Sequence, residues 1–139
     1  PRTPLASGAP SSVPMRSFAE LAASRREWIE HVLRPWCARA ERRELERAEL
    51  DWADIAGRVD PQATLWFWAW GRFPALVHEG IAGVDETVSV RLRLRDGSTV
   101  AGYPDNRLTR AGRLVLLTDA GESEPISIDD IAGVEKVGG

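Results

Sequence analysis

The stretch Val88 to Gly97, VSVRLRLRDG, constrains the fold of this chain more than any other part of the sequence. Apolar residues alternate along it with serine and arginine, which is the pattern of a strand with one face buried and the other in solvent. It ends on Asp96 and Gly97, a pair that favours a tight hairpin turn. The sequence therefore predicts an antiparallel hairpin, with residues 98–103 returning beside the first strand.

Further short strands are predicted on either side of this hairpin. RLVLLTDA, EPISI and VEKV each have strand character and are separated by turn residues, and PALV at 74–77 is expected to add an edge strand. Gly102 allows a bend or a close approach of another backbone. Five or so short strands joined by tight turns predict a small antiparallel β-barrel over residues 74–139.

The preceding part of the chain has the period of helices. Ser17 and Glu20 stand in the spacing of a capping box, and apolar residues recur at a helical period after them, which predicts a helix over about 17–33. Pro35 has no amide to donate, so it ends or kinks this helix and suits the first turn of a second one, over about 35–56.

A third helix is predicted at about 61–70, where an Asp-Pro pair precedes the run ATLWFWAWG. Trp66, Trp68 and Trp70 alternate, as in a strand, but the residues between them are also apolar, so no polar face is separated. We interpret the run as a buried helix. A partner-binding patch formed by Trp66, Trp68 and Trp70, or an aromatic shelf for a ligand, are the alternatives.

The expected fold is α+β, with an N-terminal helical segment at 17–73 packed on a C-terminal small five-stranded antiparallel β-barrel at 74–139. Residues 1–16 are rich in proline and serine and have no periodicity, which is typical of a disordered arm. The helices are expected to pack through their aromatic side chains, namely Trp28, Trp36, Trp52 and the 66–70 segment.

Composition excludes several classes of function. Seventeen arginines and one lysine are balanced by 21 acidic residues to a net charge of -3, so the whole chain is not a general polyanion binder. Cys37 is the single cysteine, which excludes a disulfide framework and a cysteine-based zinc site. The sequence has no run of about eighteen apolar residues, and residues 1–17 lack the apolar segment of a signal peptide, so we expect no membrane span and a cytoplasmic location.

Two segments within residues 86–137 resemble the Sm-like family of small β-barrels. VRLRLRDGSTVAG pairs an alternating strand with Gly97 and with Gly102 five residues later, and RLVLLTDA is similar to the next strand of that family. The resemblance implies a small barrel and RNA binding, with Asp105 and Asn106 of the intervening loop holding a base. The loop is longer than the family's, and IAG near the C-terminus lacks the family's arginine.

Arginines predict a second kind of surface. Arg91, Arg93 and Arg95 occupy alternate positions and therefore point to one side of the strand, and other arginines follow in the next loop and strand. Such a face pairs with phosphates or with an acidic protein surface, while Tyr103 offers a ring on which a base stacks. A solvated strand exterior is the alternative interpretation. The candidate nucleic-acid residues are Arg91, Arg93, Arg95, Arg107, Arg110, Arg113 and Tyr103.

No catalytic pattern is present in the sequence. His31 and His78 are the only histidines, and neither stands at a metal-ligand spacing from Cys37. Asp129 and Asp130 are expected to cap a short turn before Ile131. We therefore expect no enzyme, no cofactor and no metal site.

The leading hypothesis is a non-enzymatic binding or adaptor module that acts through protein–protein contacts or through self-association. The excess of tryptophan and arginine favours it, because both are enriched in interface hot spots. The alternative is an Sm-like RNA-binding or other nucleic-acid-binding protein that uses an arginine-lined barrel face.

Overall fold

The computed structural model describes residues 17–137, which belong to two compact units, one up to Leu33 and one from Arg34 onward. The expected α+β composition is confirmed. The expected arm at 1–16 lies outside the described residues. Among the helices of the described chain, none combines the length and the apolar character that crossing a membrane requires.

The first unit is helical. Helix α1, Phe18–Trp28, begins as the capping box predicts: the Ser17 hydroxyl accepts from the Glu20 amide at 3.1 Å, and the Glu20 carboxylate accepts from the Ser17 amide at 2.9 Å. A π-helical turn, Ile29–Leu33, follows. None of the α1 residues is buried, so the expectation that Trp28 belongs to the core is wrong.

Helices of the second unit are shorter than predicted. The helix expected over 35–56 is broken into three, and the one expected over 61–70 starts as a 3₁₀ turn whose first amide, that of Gln62, is capped by the Asp60 carboxylate. The elements are α2 Arg34–Cys37, α3 Arg42–Leu50, α4 Trp52–Ala56, the 3₁₀ turn Pro61–Ala63 and α5 Leu65–Trp70.

A long-range contact explains the start of α3. The Arg42 amide, one of the donors that a helix leaves unpaired at its N-terminus, donates to Asp129 Oδ1 at 2.9 Å. Glu41, the residue before the helix, is itself held by a hydrogen bond of its amide to Glu44 Oε1. Asp129 therefore caps a helix far from it in the sequence, whereas Ser127 caps the 3₁₀ turn Ile128–Asp130 that contains Asp129.

The strands form an open antiparallel sheet. Its order is β5-β4-β2-β1-β7, and β3 pairs separately with β6. The strands are β1 Val90–Leu94, β2 Thr99–Pro104, β3 Arg113–Leu114, β4 Leu116–Thr118, β5 Gly121–Glu122, β6 Ile126–Ser127 and β7 Ile131–Lys136.

The sheet does not close, so the expected barrel is not confirmed. A single strand was expected through RLVLLTDA, but it is interrupted at Val115, whose carbonyl accepts from the Asp105 amide and whose amide donates to Thr109 Oγ1. The loop thus takes the hydrogen bonds that would continue the strand. Residues 74–77 do not form an edge strand either: Pro74–Leu76 is a 3₁₀ turn, closed by the Leu76 amide on the Phe73 carbonyl.

The predicted hairpin is present, and Gly102 has the close backbone approach expected of it. Val90 of β1 faces Gly102 of β2, and a Cβ atom added at Gly102 would overlap the carbonyl oxygen of Leu117 on the neighbouring strand. At the turn, the Asp96 carboxylate accepts from both the amide and the hydroxyl of Ser98, and these bonds lower the pKa of Asp96.

The helices and the sheet of the second unit share one core. Trp52, Trp66 and Trp70 are each at most 2% exposed, and fully buried leucines come both from the helices (Leu45 and Leu65) and from the strands (Leu92, Leu114 and Leu116). The buried indoles keep polar partners: Trp52 Nε1 donates to Thr64 Oγ1 and Trp66 Nε1 to Glu49 Oε1, both at 2.9 Å. The interpretation of the tryptophan run as core is therefore confirmed for Trp66 and Trp70.

Replacing Gly102 by alanine should lower the free energy of unfolding by about 1–3 kcal/mol, because the new methyl group meets a backbone oxygen that cannot rotate away. Urea unfolding followed by tryptophan fluorescence measures this. Ala101→Ser, at the exposed neighbouring position of the same strand, is the control and should change stability little. Equal stability of G102A and the wild type would contradict the close approach of β2 and β4.

Candidate functional site

Of the tryptophan run, only Trp68 retains partial exposure among the three candidate partner-binding residues. Its ring meets Trp52 edge-on, with centroids 6.2 Å apart, and the Arg34 guanidinium lies 5.5 Å from its centroid. Trp66 and Trp70 are 1% and 2% exposed, so they cannot reach a partner while the chain is folded in this way. A partner-binding role remains a prediction for Trp68.

Arg91 and Arg93 on β1 and Arg95 directly after it do not form one free basic stripe. Arg91 pairs with Glu135 of the adjacent strand at 3.1 Å, and Arg93 extends over the backbone of Gly133. Arg95 turns away and donates from Nε to the carbonyl oxygen of Asp129 at 2.7 Å. Arg93 is thus the only one of these three whose guanidinium has no hydrogen bond or ion pair within residues 17–137.

The remaining candidate arginines lie elsewhere in the unit. Arg107 and Arg110 are exposed in the loop after β2, and Arg113 is exposed on β3, in the separate two-stranded ladder. Arg110 and Arg113 bridge each other through their backbones. The structure therefore divides the predicted arginine face between the five-stranded sheet and the loop region.

An aromatic residue is exposed on the outer face of the sheet. Tyr103 is 50% exposed and stands opposite Leu117, which is also exposed. Arg91 faces Ala101, two residues from Tyr103, so the tyrosine and the arginine are diagonal neighbours on this face. Tyr103, Arg91 and Arg93 thus share a surface. Glu135, the acidic partner of Arg91, lies on the same surface.

Asp105 and Asn106, which the Sm-like resemblance assigns to base binding, are engaged within the chain. The buried Asp105 accepts from the Leu108 amide at 3.1 Å. Asn106 accepts from the Val84 amide at 3.1 Å and donates to the carbonyl of Ala82 at 3.3 Å. The two Asn106 bonds hold the 82–84 segment against the loop, and the Asp105 bond lies within the loop itself. Both side chains therefore have a structural role that the sequence did not indicate.

Unit 1 presents an apolar surface that the sequence analysis assigned to the core. We call Phe18, Leu21, Trp28 and Val32 the α1 apolar face. Phe18 is 86% and Trp28 42% exposed, and the other two are also exposed. A single helix cannot enclose its own apolar side chains, and contiguous exposed apolar surface on a protein marks sites of interaction.

A second feature that sequence reasoning missed is a cavity of about 360 Å³ in unit 2, which we call the arginine cavity. Arg39, Arg72 and Arg95 line it together with Asp129 and Glu41. The three arginines come from the turn after α2, from the end of α5 and from the β1–β2 turn. No spacing rule connects such positions, so only the tertiary structure reveals the cluster.

Cys37 and Asp85 are buried titratable groups outside this cavity. Burial raises the pKa of the Cys37 thiol to about 12, although Arg72 acts to lower it. The buried Asp85 accepts from the hydroxyl and amide of Thr87, and these bonds lower the pKa of Asp85. His78 is exposed with Nδ1 2.8 Å from the carbonyl oxygen of Glu79. At neutral pH Cys37 is therefore protonated and Asp85 is ionised. An activated cysteine nucleophile would instead have a lowered pKa, and a carboxylate that acts as a general base near neutral pH would have a raised one.

Across the described residues, no three histidine, cysteine or acidic side chains are grouped so as to hold a metal ion. Comparison of the chain with models of protein families, with curated proteins and with solved structures found no match. The residues and their geometry are therefore the whole basis for a function.

Cys37 should react with a thiol reagent such as DTNB at pH 8 at least about 100-fold more slowly in the native protein than in 6 M guanidinium, because the thiol is enclosed and protonated. The raised pKa also predicts a pH dependence. Stability from burying the neutral thiol is complete below the unfolded pKa of about 8.5 and is lost as pH rises toward 12.

Cys37→Ser is the control, since it removes the reactive group and should consume no reagent. Rapid stoichiometric labelling of the native protein at pH 8 would contradict the enclosure of Cys37 between α2 and the rest of unit 2.

Proposed function

We propose that the protein is a non-enzymatic binding module that docks a protein partner through the α1 apolar face. The observation that carries this proposal is the exposure of three large apolar side chains on α1, a helix with no buried residue, and of Val32 on the π-helical turn that follows it. Leaving such side chains in water forfeits about 1.5–3 kcal/mol each relative to burial. A partner that covers the face recovers this free energy.

The mode of recognition is that of a helix in a groove. Phe18 and Leu21 are three residues apart and Trp28 follows seven later, so the three side chains lie along one side of the helix. Trp28 is the natural anchor, because tryptophan is the side chain most enriched among interface hot spots.

The charge on this face favours a different protein over a second copy of this chain. Arg25 lies between Leu21 and Trp28 on the same side of α1, at the centre of the span from Phe18 to Val32. Pairing two copies, in either parallel or antiparallel orientation, places Arg25 against Arg25. Like charges that face each other across an interface are unfavourable, so the partner that fits is an apolar groove with a carboxylate opposite Arg25.

Light scattering of the full chain tests whether the face binds a different protein and not a second copy of this chain: we expect a monomer at micromolar concentration. A photo-crosslinking amino acid placed at Ser24, an exposed position beside Leu21 and Trp28, should then capture a discrete partner from the source cells. The double variant Leu21→Ser with Phe18→Ser should weaken that capture at least about tenfold, since each hot-spot residue contributes more than 1 kcal/mol. Stability should be unchanged, because neither residue is buried.

The matched control places the crosslinker at Leu50, which is 86% exposed but lies on α3. Capture of the same proteins from positions 24 and 50, or capture that survives the double substitution, would contradict the proposal. A concentration-dependent dimer lost in the double variant would instead assign the face to self-association.

A second candidate function, binding of single-stranded nucleic acid, is supported by the exposed ring of Tyr103 on the outer face of the sheet, with Arg91 diagonal to it and Arg93 farther along the same face. Stacking on an aromatic ring combined with a phosphate contact is the usual means of holding a single strand. Arg95 does not contribute, because it turns toward Asp129.

Fluorescence anisotropy of a labelled single-stranded RNA at 20 and 150 mM salt tests this candidate. It predicts that the affinity for RNA falls steeply as the salt concentration rises. Tyr103→Ala should lower the free energy of binding by about 1–3 kcal/mol. Arg93→Glu should bind RNA more weakly than the control Arg58→Glu, which changes an exposed arginine of the helical part. No anisotropy change at 20 mM salt would eliminate this candidate.

A further inference from the structure

The arginine cavity gathers more positive than negative charge. Arg39, Arg72 and Arg95 line it, and the carboxylates on the same wall are those of Glu41 and Asp129. Three guanidinium groups against two carboxylates leave one positive charge. The cluster is assembled from three separate segments, so it is a product of the fold and not of a local run of arginines.

Two of the three guanidinium groups, those of Arg72 and Arg95, are held by backbone carbonyls. Arg72 donates from Nε to Ala69 at 3.0 Å, and from Nη2 to Cys37 at 2.9 Å and Ala40 at 2.7 Å. Arg95 donates from Nε to the Asp129 carbonyl at 2.7 Å. These bonds fix the direction of two side chains without neutralising their charge.

Donors remain unused on all three arginines. Within residues 17–137, the guanidinium of Arg39 makes no hydrogen bond or ion pair, Nη1 of Arg72 has no acceptor, and both Nη atoms of Arg95 are also without one. On Asp129, Oδ1 accepts from the Arg42 amide, which directs that oxygen to the start of α3. Burial lowers the pKa of the Arg72 guanidinium, and Asp129 raises it, so the nearby charge partly offsets the cost of desolvation.

The rest of the cavity is apolar. Phe73, Ile128, Ile131 and Ala132 complete its wall. A volume of about 360 Å³ lies at the small end of the range for ligand sites and leaves room for an apolar group beside an anion.

We propose that the arginine cavity is a binding site for a small organic phosphate, with the phosphate held by Arg39, Arg72 and Arg95 and the organic part against Phe73 and Ala132. Arginine is the side chain best matched to phosphate, because its planar fork donates two parallel hydrogen bonds to an oxygen pair. Three arginines from three directions suit the three terminal oxygens of a phosphate monoester, whereas a carboxylate offers two. This site is separate from the α1 apolar face and does not depend on it.

Isothermal titration calorimetry of the full chain with phenyl phosphate, benzoate and inorganic phosphate tests the proposal. We expect saturable binding of phenyl phosphate that is at least about tenfold tighter than that of benzoate or of inorganic phosphate. Amide shifts in ¹⁵N NMR spectra should localise the bound probe to Phe73, Arg95 and Asp129.

Arg39→Gln is the informative variant, because Arg39 is exposed and supports no other part of the fold. It should weaken phenyl phosphate at least about tenfold, the loss expected for one charge-assisted contact, at unchanged melting temperature. Arg58→Gln, also an exposed arginine of the helical part, is the matched control and should bind as the wild type does.

Three results would overturn the proposal: no saturable binding of phenyl phosphate up to about 10 mM, equal affinity of the Arg39→Gln and Arg58→Gln variants, or benzoate bound as tightly as phenyl phosphate. The first two exclude the site, and the third excludes its preference for phosphate.

Discussion

The burial of α5 is the constraint on which the second unit depends. The residues of α5, LWFWAW, are apolar on every side of the helix. Exposing either face to water would cost free energy, so other elements must enclose the helix. Helices α2 and α3 cover part of it. On the sheet side, Gly112 comes so close that a Cβ atom there would meet the ring of Trp66 and the side chain of Arg42. The indoles bury large area, while the bonds of Trp52 to Thr64 and of Trp66 to Glu49 keep their N–H groups paired.

Asp129 joins the same two parts of the unit by electrostatics. One carboxylate oxygen caps α3 through the Arg42 amide, and the backbone carbonyl of the same residue accepts from Arg95. Because Arg72 is also fixed by carbonyls near the end of α2, the seam between helices and sheet carries several polar groups that neither part satisfies alone. The arginine cavity lies at this seam, which is where elements of different origin bring like charges together.

The two proposed surfaces differ in the physics that would drive binding. On α1 the driving force is removal of apolar area from water, so affinity there should depend little on salt. In the arginine cavity it is the match of fixed donors to an anion, which weakens as salt screens the charge. The outer face of the sheet has both elements in smaller measure, because Arg91, the arginine diagonal to Tyr103, pairs with Glu135. Arg93, which has no ion pair within residues 17–137, lies farther along the same face.

Features of the fold that depend on a few neighbouring residues were predictable from the sequence, and features that depend on distant residues were not. The capping box at Ser17, the hairpin at Asp96–Gly97 and the close approach at Gly102 were predictable, because each depends on a few neighbouring residues. The barrel was not confirmed, because the strand is interrupted at Val115 by hydrogen bonds to Asp105 and Thr109, residues outside its own pattern. The break before α3 likewise depends on Asp129, whose partner is distant in the sequence.

The candidate sites were likewise predictable from the sequence only in part. Alternation correctly placed Arg91 and Arg93 on the outer side of a strand, but the pairing with Glu135 and the turning of Arg95 depend on the register of β7 and on the 3₁₀ turn before it. Local pattern determined the start of α1, the hairpin and the apolar character of α5, because propensity and spacing act over a few residues. Tertiary structure alone decided which tryptophans are enclosed, and it alone brought Arg39, Arg72 and Arg95 to one cavity, because those contacts join segments that no periodicity relates.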